Sequence, residues 1–131
     1  MKKTISILIL TLTALSCGEK KNDMNTFNPA FAHTVYFWFN NPDSQTDKEK
    51  FETSLTKFMN NSLYAKTQFI GTPPRASRDV VDGSFTYSLI VSFESSEAQA
   101  KYQTEAAHML FVEECSDLWE KVIVYDSQTI N

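Results

Sequence analysis

The sequence predicts an α+β domain with elements in the order β-α-β-β-α-β, an antiparallel sheet carrying both helices on one face. Three observations carry that expectation. Residues 33–40 and 84–94 each alternate two sets of side chains at period two, and residues 46–62 repeat apolar side chains at helical spacing. Composition agrees with one folded unit. The chain has 131 residues, 42% hydrophobic and 21% charged, with ten Phe, five Tyr and two Trp, which argues against disorder and low complexity.

Composition also excludes function classes. Three Gly leave little from which to build a phosphate-cradling loop. A net charge of −4 argues against a nucleic-acid partner, and Lys2 and Lys3 belong to a leader, so the folded part is more acidic still. Two Cys and two His cannot supply a four-ligand zinc site of ordinary spacing, and no metal or cofactor is expected.

The elements follow in order. Met1-Lys2-Lys3 and the apolar run 5–15 have the profile of a secretory signal covering residues 1–16. The run ends at Ala14-Leu15-Ser16-Cys17-Gly18, similar to the lipobox of bacterial lipoproteins, which makes Cys17 the expected lipidation site. An ordinary signal peptide that contains a Cys is the alternative. Residues 17–31 are polar and read as a flexible tether, with the folded domain at 32–131. The expected location is therefore the cell envelope, lipid-anchored to a bacterial membrane, or else periplasmic or secreted as a soluble protein.

His33, Val35, Phe37 and Phe39 form one face of a first strand, and Thr34, Tyr36, Trp38 and Asn40 the other. Asn41-Pro42-Asp43-Ser44 breaks it. Thr46 and Glu49 stand at capping-box spacing before Phe51, Leu55, Phe58, Met59 and Leu63, so a helix is expected over 46–62. Residues 65–71 are a weaker strand. Pro73 and Pro74 make the following stretch, to Asp82-Gly83, a long exposed loop. A third strand spans 84–94, with Phe85, Tyr87, Leu89, Val91 and Phe93 on one side. A helical turn runs from Ser95 to Tyr102. A further helix over 106–119 carries His108, Phe111, Val112, Cys115 and Trp119 on one stripe, and a strand closes at 122–126. Cys115 reads as a small buried hydrophobe and no disulfide is expected.

This order is the ferredoxin-like arrangement. Its helices cover one sheet face, which leaves Tyr36, Trp38 and Ile90 on the other. Bulky apolar groups on an uncovered face mark a binding surface, and a symmetric homodimer joined through that face buries them. On the covered face, His33 and His108 approach one another between sheet and helix, with Tyr87 and Tyr102 near them. Two imidazoles and two phenols in an aromatic pocket can bind a polar small molecule or move a proton. Either histidine alone is equally at home as a hydrogen-bonded core residue. No Asp or Glu stands out on the same face. Arg75 and Arg78 either clamp an anion at a pocket mouth or keep the loop soluble.

Three segments carry a resemblance to the stress-responsive dimeric α/β barrel (Dabb) family: Ala32-His33-Thr34-Val35-Tyr36-Phe37-Trp38-Phe39, Tyr87-Ser88-Leu89-Ile90-Val91-Ser92-Phe93-Glu94-Ser95, and Ala106-Ala107-His108-Met109-Leu110-Phe111-Val112. The resemblance implies a ferredoxin-like monomer whose sheet joins its partner's to form a barrel with the helices outside. The family includes plant stress proteins and a plant polyketide cyclase whose pocket residues match His33, Tyr102 and His108. A further pocket histidine of that cyclase is Tyr87 here, and the Pro that precedes its helix-start Ala-His is Ala106.

Three functions follow. The first is a lipid-anchored domain that binds a small aromatic or amphipathic molecule among His33, Phe37, Tyr87, Tyr102, His108 and Phe111. The second is a cofactor-independent enzyme of proton-transfer type, cyclase-like or oxygenase-like, with His108 as base and His33 or Tyr102 as orienter. The third is a structural dimer with no ligand. The small size, the two histidines and the Tyr87 departure favour binding or structure over catalysis; fold alone does not decide.

Overall fold

The computed structural model of the chain describes residues 30–75 and 78–130. The expected leader, Cys17 and the expected tether up to residue 29 lie outside the described residues. Phe31, counted with the tether by composition, is already the first residue of a strand.

Four strands form one antiparallel sheet in the order β2-β3-β1-β4. They are β1 (Phe31–Phe39), β2 (Thr67–Gly71), β3 (Tyr87–Phe93) and β4 (Trp119–Gln128). The helices α1 (Gln45–Asn61), α2 (Ser96–Thr104) and α3 (Ala106–Cys115) cover one face. No helix among the described residues is long and apolar enough to cross a membrane.

Alternation sets the register. Along β1 every odd residue from Phe31 to Phe39 is buried and every even one is half-buried. Pairing places His33 beside Val91 and Asp126, and Val35 beside Leu89 and Val124, all on the helix side. Phe51 on α1 plugs the core: it is fully buried, with its ring 5.0 Å from those of both Phe37 and Phe39 and 4.8 Å from that of Tyr87. Burying such a side chain contributes about 1.5–3 kcal/mol. Leu55, Phe58 and Met59 continue the same α1 stripe.

The departures from expectation have local causes. Ser44, not Thr46, caps α1: its hydroxyl accepts from the Asp47 N–H at 3.3 Å, so the helix starts at Gln45. The gap left between the two expected helical segments narrows to one residue, Glu105, whose extended backbone (φ −68°, ψ 150°) ends α2 and starts α3. Its carboxylate explains the break, because it accepts from the Ser62 hydroxyl (2.6 Å) and the Leu63 N–H (3.0 Å) just beyond α1. Helix α3 stops at Cys115 rather than 119. Trp119 instead opens β4 opposite Phe39, and its ring still meets Phe111 at 5.8 Å, so a contact that fits helical spacing is made from a strand.

Strand β4 is longer than expected, ten residues rather than 122–126. Phe85 lies on the opposite side from the one its spacing predicts, its ring 4.9 Å from that of Tyr36. The pattern slips at Thr86, which donates its N–H to Phe37 O (2.7 Å) and takes the Phe39 N–H on its hydroxyl (3.0 Å) ahead of the first paired residue of β3.

Candidate functional site

Sheet and helices do not close completely at the β4 side. β4 forms an edge of the sheet, and its inward residues Val122 and Val124 are 37% and 46% exposed, so the helices leave a gap above them. The gap is a cavity of about 330 Å³ between β1, β4, α2 and α3. Val35, Phe37, Leu89, Phe111 and Trp119 are among the residues that make it apolar, and His33, Tyr102, His108 and Asp126 bring polar atoms to it.

Each polar group arrives for a local reason. His33 is held on the inward face of β1 by alternation and is 4% exposed. Strand pairing sets Asp126 opposite it, and Asp126 Oδ1 lies 2.6 Å from His33 Nδ1. That carboxylate fixes the imidazole's orientation and turns its other nitrogen away from the strand partner. Tyr102, 1% exposed on the last turn of α2, stacks edge-on against His33 with ring centroids 5.7 Å apart. Burial, then the nearby Glu105 charge, pushes the phenol well above its ordinary value, so it stays a hydrogen-bond donor.

His108 stands in the first turn of α3, its ring 5.3 Å from those of both Tyr102 and Phe58. Burial and the facing His33 imidazole hold its pKa below the usual histidine value, against a weaker opposite pull from Glu105 and the Gln103 carbonyl. Its Nδ1 is buried and has no hydrogen-bond partner among the described residues. Gln99 and Gln103, one helical turn apart on α2, complete the wall.

Of the residues expected to gather here, the fold brings together His33, Phe37, Tyr102, His108 and Phe111. Tyr87 is not among them. It faces the helices from the other end of β3, where its hydroxyl donates to Glu52 on α1 at 2.5 Å. Burial and that hydrogen bond raise its pKa far beyond the ordinary phenol range. Arg75 and Arg78 are exposed and do not line the cavity.

Sequence reasoning missed Asp126, Gln99 and Gln103. The signal for Asp126 was present, since Val122, Val124 and Asp126 share one side of a strand whose other side is Lys121, Ile123 and Tyr125. The expectation that no carboxylate shares the histidine face is corrected accordingly. Among the described residues, no three His, Cys, Asp or Glu side chains converge as a metal site requires. A second hollow of about 360 Å³ lies between α1 and α3, but its Ser54 and Lys57 are already bonded to its Glu114. The buried side-chain atom left without a partner among the described residues, His108 Nδ1, belongs to the His33–His108 cavity instead.

An antiparallel sheet ordered β2-β3-β1-β4, helices on one face and a histidine-lined hollow between the layers define a ferredoxin-like α+β protein. The chain belongs to the Dabb family, the stress responsive A/B barrel domain, whose family model matches residues 31–129. Solved structures agree on the fold. A hydroxynitrile lyase from Passiflora edulis is 23% identical with a TM-score of 0.65, covering 79% of this chain and 95% of that one. A Dabb family protein from Mesorhizobium loti is 16% identical with a TM-score of 0.64, covering 77% and 97%. A dimeric ferredoxin-like protein of unknown function from Thermobifida fusca is 14% identical with a TM-score of 0.62, covering 79% and 94%. No curated protein matches the sequence.

Proposed function

We propose that the chain is an exported, lipid-anchored Dabb protein that forms a homodimer and binds a small molecule in the His33–Tyr102–His108–Asp126 cavity. One observation carries the binding reading. The largely apolar wall of the cavity contains a buried imidazole nitrogen, His108 Nδ1, that has no hydrogen-bond partner among the described residues. Buried polar groups are almost always hydrogen-bonded, and the exceptions are explained by a further partner such as a ligand. The structures of the Thermobifida protein and of a Bacteroides fragilis protein with the same fold are described as dimeric, which supports the homodimer. The basic start, apolar run and Ser16-Cys17 support export and lipidation at Cys17.

Native mass spectrometry of the purified protein tests the binding reading. A dimer that sheds a small mass on denaturation supports it. If no mass is shed and Tyr102→Phe and His108→Phe stabilise the fold without loss of any ligand, the pocket is core and the protein is a structural dimer. Cys17→Ser tests the anchor: the protein should move from the membrane fraction to the soluble one.

A second reading is favoured by the His33–Asp126 pair. An imidazole oriented by a carboxylate is the arrangement used for proton abstraction, and here His33 would accept the proton while Tyr102 donates to the developing oxyanion. Turnover that is lost in Asp126→Asn with an intact dimer would favour this enzyme over a binder.

A further inference from the structure

The polar wall of the cavity holds no cation to pair with an anion. No Lys or Arg lines it, whereas Asp126 does, and the Glu105 carboxylate acts on both Tyr102 and His108 from close by. The positive charge that His33 can carry is already matched by Asp126 at 2.6 Å. Lys121, on the same strand as Asp126, points to the opposite sheet face, where its Nζ sits 4.3 Å from the centroid of the Trp38 ring. What remains for a ligand is uncharged: the Tyr102 phenol, the His108 imidazole and the amides of Gln99 and Gln103, all of which line the cavity.

We infer that the cavity selects uncharged ligands, an apolar body with a single hydroxyl, carbonyl or amide head, and rejects a carboxylate, sulfonate or phosphate of the same shape. This rests on the binding reading above. An anion entering the cavity would lose its hydration and meet a wall that is neutral at best, and a buried charge without a partner is strongly disfavoured. A neutral head loses little, because each hydrogen bond it gives up to water is replaced by one from the wall.

Two dyes that share a ring skeleton test this: neutral N-phenyl-1-naphthylamine and its sulfonate, 1-anilinonaphthalene-8-sulfonate. The full chain with Trp38→Phe retains one tryptophan, Trp119, which lines the cavity, so energy transfer from it reports a dye bound to the domain, and the response to cavity substitutions assigns the dye to this site. The neutral dye should bind more tightly by about tenfold or more. The dyes also differ in water solubility, so the shift of their affinity ratio between variants is the deciding quantity. Asp126→Asn should narrow the ratio by roughly threefold, and Gln99→Arg, which adds a cation to the wall from a half-buried helix position, should narrow or reverse it. A ratio unmoved by either folded variant, or a sulfonate that binds the parent as tightly as the neutral dye, overturns the inference. Energy transfer from neither dye means that the cavity takes no ligand of this size, and the binding reading fails with it.

Discussion

Protonating His108 means charging a half-buried ring that faces a second imidazole. The folded chain therefore takes up that proton at a lower pH than the unfolded chain, whose histidine titrates near 6.5. The sign follows: the unfolded state binds more protons in the interval between, so stability is full above the ordinary value and falls as pH drops through the folded-state value. Urea midpoints measured from about pH 7.5 down to about pH 5 should decline in the parent, and less steeply in His108→Gln. Tyr87 makes the complementary case. Tyr87→Phe should cost about 0.5–1.5 kcal/mol through the lost bond to Glu52 and leave ligand affinity unchanged, as chemical denaturation and a binding titration will show. His33 and His108 were legible by residue type, as few side chains change charge near neutrality. The alternation of β4 put Asp126 on the inward side, but its meaning comes from a strand partner 93 positions away in the chain, and so it was missed. Tyr87 was misplaced because alternation tells which face a side chain takes and not how far along the strand the cavity extends.

Helices and strands were read best where the pattern is long. The alternation of β1 and the apolar stripe of α1 survive with shifts of one or two residues, because each is enforced by a continuous buried face. Ends fared worse, since single side chains decide them. Ser44→Ala should lower stability by about 1 kcal/mol while Thr46→Ala has little effect, the reverse of the capping-box expectation, with thermal unfolding as the check. The division between α2 and α3 belongs to Glu105, whose partners Ser62 and Leu63 lie 43 and 42 positions away. Glu105→Ala should destabilise by about 1–3 kcal/mol, by leaving those donors unmatched, and should loosen the start of α3 that carries His108. Faster amide exchange confined to residues 105–109 would confirm the second part; uniform acceleration over the chain would refute it.

The molecule as a whole presents an aromatic-rich sheet face that none of the helices among the described residues covers. Tyr36 packs there against Trp38, Phe85 and Tyr125 with ring centroids 4.9–6.4 Å apart, and Phe69 and Tyr125 are 57% and 60% exposed. In the proposed homodimer this face meets its copy. Tyr125→Asp, at a position already open to water, should fold normally and sediment as a monomer, and an unchanged dimer would place the interface elsewhere. The ferredoxin-like order was legible from element type alone, and the sheet's antiparallel connections then leave few topologies.

Strand β4 gives that architecture an unusual freedom. Its residues serve two surfaces by turns: Val122, Val124 and Asp126 toward the cavity, Lys121, Ile123 and Tyr125 toward the bare sheet face. Substitutions two residues apart therefore retune one surface without touching the other. For the proposed ligand and homodimer, descendants of such a chain can exchange one while keeping the other, and an engineer can recode each property separately within ten consecutive codons.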